Sequence, residues 1–198
     1  MLKFRRKEEK AALSVQTRPE ESFRLAGGAP SGPGERRLYR ALRESVPIID
    51  AAIGKLRRLL GEFTVSCPQA QAQRELEEFL QSVPVNAMEH GVQAFLGVYF
   101  EQLLTYGNAV GEMVLGGGQV AALYNASLDG VELEPKGPLE AAVSVWEGDR
   151  KRPCPYPELL LLSALAPEAG SIWGTSLLRG LPFVSEILLK IYKTLGVN

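Results

Sequence analysis

The sequence predicts an α+β fold in which a buried central helix leads directly into a small, mainly antiparallel sheet. From Met88 to Leu104, apolar residues recur at helical spacing and also fill most of the remaining helix surface. This pattern is typical of a helix that is buried nearly all round. Tyr106-Gly107-Asn108 interrupts the helical pattern, and Ala109–Leu115 then has the pattern of a strand that ends at Gly116-Gly117-Gly118. We therefore expect a helix, a break and a hairpin in immediate succession.

The sequence predicts a flexible tail over residues 1–34 and one domain over residues 35–198. Glycine and proline are too frequent between Gly27 and Gly34 to sustain a helix or a strand. Five basic residues crowd the first ten positions, although the whole chain has a net charge of −1. This cluster either contacts DNA or an acidic partner, or is a solvated tail.

Residues 35–60 have the apolar spacing of a helix throughout, with Pro47 in the middle. A proline inside a helix removes one backbone hydrogen bond and disfavours the helical conformation of the preceding residue. We therefore expect either one long kinked N-terminal helix or two helices, with Pro47 in the first turn of the second. Residues 69–83 predict a further amphipathic helix.

Five more segments have strand patterns. Phe63–Cys67 alternates between apolar and polar residues, and four consecutive leucines in Glu158–Leu165 predict a strand buried on both faces. The other three predicted strands are Gln119–Tyr124, Val131–Glu134 and Ala141–Trp146. Lys151–Pro157 is basic and interrupted by prolines, so we expect no strand there.

A C-terminal amphipathic helix is predicted to begin at Thr175. Its apolar stripe runs from Leu177 to Leu195, Pro182 is expected to kink it, and Gly196 is expected to cap it.

The candidates for chemistry are few. Cys67 and Cys154 are the only cysteines, so they neither form a disulfide framework nor, together with one histidine, supply four zinc ligands. Glu75, Glu77 and Glu78 have no accompanying histidine and are interpreted as a solvated helix face. We predict no cofactor and no metal. No segment approaches the ~18 apolar residues of a membrane span, so no membrane association is expected.

His90 is the only histidine, and any Ser-His-Asp or Cys-His catalyst would have to use it. It is predicted to lie in the first turn of the buried helix, where a capping or partly buried role is the alternative. The triple glycine lacks the lysine of a P-loop and precedes a strand, so a hairpin turn is the favoured interpretation.

Three segments together resemble the portal proteins of tailed bacteriophages. Val46-Pro47-Ile48-Ile49-Asp50-Ala51-Ala52-Ile53, followed by Leu59-Leu60-Gly61, is similar to the first conserved helix of that family. Tyr106-Gly107-Asn108-Ala109-Val110-Gly111-Glu112 resembles its "YGNA" junction, where a helix passes into the wing sheet. Gly170-Ser171-Ile172-Trp173-Gly174-Thr175-Ser176-Leu177-Leu178 resembles its "G-x-S-x-L" entry to the next helix.

The resemblance implies a ring-forming structural protein with a portal-wing-like fold and no active site. Portal rings occupy one capsid vertex, and double-stranded DNA is packaged and ejected through them. The implied partners are further copies of the chain, terminase, scaffold and capsid proteins, and head–tail adaptors. The implied locations are the host cytoplasm during assembly and then the virion. The residues carrying the resemblance, all implied to be structural, are Pro47, Tyr106, Gly107, Asn108, Glu112, Gly170, Ser171, Trp173, Gly174 and Ser176.

Portal chains continue past the helix that begins at Thr175, into stem and clip segments that have no counterpart here. We therefore expect a truncated polypeptide or a truncated gene, without the residues that face DNA. Two alternatives stay open at this point. One is a small cytoplasmic hydrolase that uses His90 with Cys67 or Ser66. The other is a stand-alone adaptor that binds a partner through its final helix.

Overall fold

A computed structural model describes residues 33–137 and 140–184. Most of the predicted tail and the C-terminal helix beyond residue 184, including its cap at Gly196, lie outside the described residues. Four helices come first: α1 (Pro33–Ser45), α2 (Pro47–Leu59), α3 (Ala70–Ser82) and α4 (Val92–Tyr106). They are followed by β1 (Asn108–Gly116), β2 (Gln119–Asn125), β3 (Val131–Pro135), β4 (Ala141–Glu147), β5 (Arg150–Pro153) and β6 (Leu160–Ala164). The α+β prediction is confirmed.

The strands form two antiparallel sheets of three strands each. The first sheet has the order β2-β1-β6 and the second has the order β3-β4-β5. A two-residue turn at Gly117-Gly118 closes the β1–β2 hairpin, and both glycines have positive φ angles of 61° and 81°. Glycine is the residue that takes up this conformation without strain, so the predicted turn is confirmed.

Helix α4 is the centre of the fold, because α1, α2, α3, β1 and β2 all contact it. Two apolar clusters lie on its two sides. The sheet cluster joins α4 to the first sheet and consists of Val83, Val85, Phe95, Tyr99, Ala109 and Leu123. The helix cluster joins α1, α2 and the C-terminal segment and consists of Tyr39, Leu42, Ile53 and Leu178.

Helix α4 begins later than predicted. Met88 is 88% exposed, and the Asn86 side chain accepts hydrogen bonds from the backbone N–H groups of Met88 and Glu89. This local turn competes with the helix. His90 therefore precedes α4, where its backbone forms an isolated bridge with Pro84. The prediction that His90 lies in the first helical turn was wrong.

The N-terminal region is two helices rather than one kinked helix. Val46 has φ −123° and ψ 93°, which is an extended conformation, and Pro47 is the first residue of α2. The proline ring excludes the helical conformation at Val46, whereas its missing N–H costs nothing at a helix start. Of the two alternatives, the one with Pro47 in the first turn of a second helix is confirmed.

Four other predictions were wrong. Phe63–Cys67 lies in no strand, because no described segment pairs with it. Strand β5 occupies the basic segment that was expected to be broken, and its proline stands at the strand end, where it is tolerated. Strand β6 forms as predicted, but its residues are only half-buried or exposed, so it is not buried on both faces. The final helix starts at residue 181, so Pro182 stands in its first turn and does not kink it.

Within the described residues, no helix combines the length and the apolar character that spanning a bilayer requires.

Candidate functional site

The three segments that carry the portal resemblance converge at the C-terminal end of α4. Gly107 ends this helix with a φ of +81°, and its carbonyl oxygen accepts a hydrogen bond of 2.7 Å from the Leu165 N–H. The chain then returns to the same point, because the Thr175 N–H donates to the Leu165 carbonyl at 2.7 Å. Segments far apart in the sequence are therefore joined through their backbones.

Gly107 and Gly174 allow this close approach. A Cβ atom added at Gly107 would lie 2.7 Å from the Ser176 nitrogen and 2.7 Å from the Thr175 carbonyl carbon. A Cβ added at Gly174 would overlap the Gly107 carbonyl oxygen and the Leu165 nitrogen. Both positions therefore require glycine, and for Gly107 the left-handed backbone is a second reason.

Asn108 fixes the contact through its side chain. Its Oδ1 accepts a hydrogen bond of 3.1 Å from the Gly174 N–H. Its Nδ2 faces the carbonyl oxygens of Ser163 and Ile172, each at 3.4 Å. Asn108 is buried, so this amide satisfies backbone groups of two further segments that would otherwise be enclosed without partners.

The segment after Gly174 caps α4 from outside the helix. The last carbonyl groups of a helix have no partner within it. Here the Leu177 N–H donates to the Leu104 carbonyl at 3.1 Å, and the Ser176 Oγ donates to the Thr105 carbonyl at 2.6 Å. The same Oγ accepts a bond of 2.9 Å from the Leu178 N–H. We call the contacts of residues 104–108 with residues 163–165 and 172–178 the capping junction.

The other residues that carry the resemblance to portal proteins lie at different distances from the capping junction. Tyr106 and Pro47 line one open groove of about 580 Å³ between α1, α2 and α4. Trp173 lines a small cavity with Tyr106 and Asn108. The Ser171 hydroxyl both accepts from the Trp173 N–H and donates to its carbonyl. Four residues lie outside the capping junction, namely Pro47, Ser171, Gly170 and Glu112. Gly170 lies in an exposed loop with φ +77°, and Glu112 lies further along β1, opposite Tyr124 and Leu160.

A network of charged side chains lies beside the groove and was missed at the sequence level. Arg43 donates to Asp50 at 2.5 Å and 2.9 Å, to Glu101 at 2.8 Å and to Thr105 at 3.1 Å. Arg57 reaches the same Glu101 at 3.1 Å by lying across Gly97, where a side chain would obstruct its guanidinium. Asp50 follows Arg43 by seven positions, with Pro47 between them. The sequence alone does not predict this ion pair, because a separation of seven positions brings the two side chains together only when the chain turns at Pro47.

Burial opposes the positive charge of Arg43, but its hydrogen bonds with Asp50 and Glu101 outweigh that effect and raise the pKa of the guanidinium. The two arginines and two carboxylates balance in charge. The network therefore fixes the α1–α2 corner on α4 and leaves no net charge to attract an ion.

The residues considered for catalysis are not brought into such a network. His90 is exposed. Among residues 33–137 and 140–184, no serine, cysteine or carboxylate side chain forms a hydrogen bond or ion pair with its ring. Within the same ranges no group of three or more His, Cys, Asp or Glu residues is arranged to hold a metal ion.

Six exposed apolar residues lie on α2 and in the segment that follows it. Ile48 is 77% exposed and Leu59 is 71% exposed. We call this set the α2 surface; its members are Ile48, Leu56, Leu59, Leu60, Phe63 and Val65. Large exposed apolar patches on proteins mark sites of association.

Comparison with known proteins assigns no family. No protein-family model matches the chain, and no curated protein matches it significantly.

Proposed function

We propose that this chain is a subunit of a portal-type ring and that it acts through its shape and its surfaces. The α2 surface carries the proposal. Its residues are large and apolar, and two of them, Ile48 and Leu59, are more than two-thirds exposed on the single chain, so covering them with another molecule would be favourable.

The capping junction supports the same proposal. Parts of all three segments that resemble portal proteins lie around the C-terminal end of α4. Glycine, asparagine and serine serve there to let backbones approach and to satisfy their polar groups. A structural role for these residues fits a protein whose task is to hold neighbouring subunits in a fixed orientation.

In this proposal the two faces of the fold have different tasks. Helix α4 and the first sheet form the rigid body of the subunit, and the α2 surface associates with the next copy. The partners implied by the resemblance, which are terminase, scaffold and capsid proteins, adaptors and DNA passing through the ring, belong to the proposal as well. The virion and the host cytoplasm are the proposed locations.

The test is the mass of the protein expressed from its complete reading frame. Light scattering should give a mass many times that of one chain, and electron microscopy should show rings with an open centre. The double variant Ile48→Lys/Leu59→Lys should lose the assembly, because it places two charges in the apolar contact. The matched control is Glu78→Lys/Gln81→Lys on the exposed face of α3, which should assemble normally. A wild-type protein that stays monomeric at every concentration would overturn the proposal.

A further inference from the structure

We propose that neighbouring copies of this chain join by strand addition, with residues 63–67 of one copy pairing with the outer edge of β6 in the next. This inference rests on the proposed ring, because it names the contact through which its subunits associate. It follows from two segments, the outer edge of β6 and residues 63–67, neither of which has a strand partner among residues 33–137 and 140–184.

The first segment is the outer edge of β6. An exposed sheet edge is a template for pairing, and proteins protect such edges with charges, prolines or a covering segment. Three of the four edges are protected in this way. Pro84 covers β2 by accepting a 2.9 Å bond from the Leu123 N–H. Strand β3 carries two glutamates and ends at Pro135, and β5 carries three basic residues and ends at Pro153. Strand β6 contains neither a charge nor a proline.

The backbone of Leu162 points outward from this edge. Leu162 lies opposite Val110 in the β1–β6 ladder. The Val110 carbonyl accepts a 3.1 Å bond from the Ala126 N–H, and the Val110 N–H donates to Gln102 at 2.7 Å, so both Val110 groups point away from β6. In an antiparallel pair the opposite residue then directs its own N–H and C=O away as well. The Leu162 side chain is 37% exposed, so an incoming strand would have both backbone groups and an apolar contact available.

The second segment is Phe63–Cys67, whose alternating pattern is that of a strand. The Gln73 side-chain amide bonds one side of it, because Nε2 donates to the Val65 carbonyl at 3.1 Å and Oε1 accepts from the Cys67 N–H at 2.5 Å. In this way one amide imitates a neighbouring strand. The backbone groups of Thr64 and Ser66 alternate to the opposite side. Within the described residues they form no hydrogen bond, so this side is open to a partner.

The two segments suit each other as halves of one contact. Neither contains a charged residue, so pairing them buries no unpaired charge. Phe63 and Val65 belong to the α2 surface, which would bring further apolar residues against the neighbouring sheet. The two segments lie on different parts of one chain, and a contact between unlike surfaces repeats from copy to copy, as a ring requires. A second copy is therefore the occupant that this chain itself supplies.

The test compares two exposed leucines that lie in strands of the same sheet. Leu162→Lys places a charge on the β6 edge, and we expect the concentration needed for assembly to rise by about tenfold or more. Leu115→Lys makes the same substitution at an exposed position near the hairpin turn and should leave assembly within about twofold of the wild type. Circular dichroism of both variants establishes that they fold.

Hydrogen exchange of the wild-type protein is the second measurement, and it decides the question if Leu162→Lys does not fold. Peptides covering residues 62–67 and 160–164 should both become protected when the protein assembles. Assembly that is unchanged in a folded Leu162→Lys variant, or equal exchange of these peptides in the assembled and dissociated protein, would refute strand addition and leave the ring proposal standing. A wild-type protein that never assembles would refute both.

Discussion

At the scale of single residues, the capping junction depends on two glycines that act for different reasons. Gly107 needs both its positive φ angle and the space in front of its Cα, whereas Gly174 needs only the space. The resemblance pointed to both positions. The physical requirement at Gly174 could not be predicted from the sequence, because it arises from a backbone 67 residues away in the chain.

We predict that Gly174→Ala destabilises the protein by about 2–4 kcal/mol, since the new methyl group would overlap the Gly107 carbonyl and the backbone would have to move. Gly180→Ala is the control, because Gly180 has open space around its Cα and should change stability by less than about 0.5 kcal/mol. Urea unfolding measures both. Equal stabilities of the two variants would show that the junction yields easily.

At the scale of elements, the Arg43–Glu101 network decides how the α1–α2 corner sits on α4. Three helices contribute to it, and Glu101 receives two arginines that come from α1 and α2. Its ions are partly exposed, so solvent screening reduces what each pair contributes.

We expect Glu101→Gln to lower the free energy of unfolding by about 1–2 kcal/mol, because it removes the carboxylate shared by Arg43 and Arg57. Glu78→Gln removes the same charge from an exposed site on α3 and should change stability by less than about 0.5 kcal/mol. The effect of Glu101→Gln should shrink in high salt. An effect that is independent of salt would mean that packing rather than charge holds the corner.

Elements with a strong local signal could be predicted from the sequence. Helix α3 and the β1–β2 hairpin lie within a few residues of their predicted bounds, because periodicity and the glycine turn are local properties. The start of α4 depends on a competing local turn, and strand β5 depends on a neighbouring strand. Residues 63–67 show the limit clearly, since an alternating pattern predicts a strand but cannot supply the strand that pairs with it.

At the scale of the whole molecule, α4 separates the sheet cluster from the helix cluster and belongs to both. Phe95 and Tyr99 face the first cluster, with their rings 5.5 Å apart, and Leu104 packs against the second. The capping junction ties the end of α4 to both sides. The convergence of the resemblance segments there was not predicted, because no single motif fixes the distance between positions 47, 107 and 174.

This arrangement predicts one cooperative unfolding transition. Leu123→Ala in the sheet cluster should lower stability by about 2–4 kcal/mol and Ile53→Val in the helix cluster by about 0.5–1.5 kcal/mol. In both variants, circular dichroism and tryptophan fluorescence should report the same midpoint. The wild type serves as the control. Separate midpoints in either variant would show that the two clusters unfold independently.

The external capping of α4 has a mechanical consequence. The helix that begins at residue 181 is preceded by a short segment whose Leu177 N–H and Ser176 hydroxyl donate hydrogen bonds to carbonyl groups at the end of α4. A force applied along that helix would therefore act on α4 directly, without first extending a loose loop. Tension or rotation at the C-terminal side would be transmitted to α4 and through it to β1, so these elements would move together with the C-terminal helix.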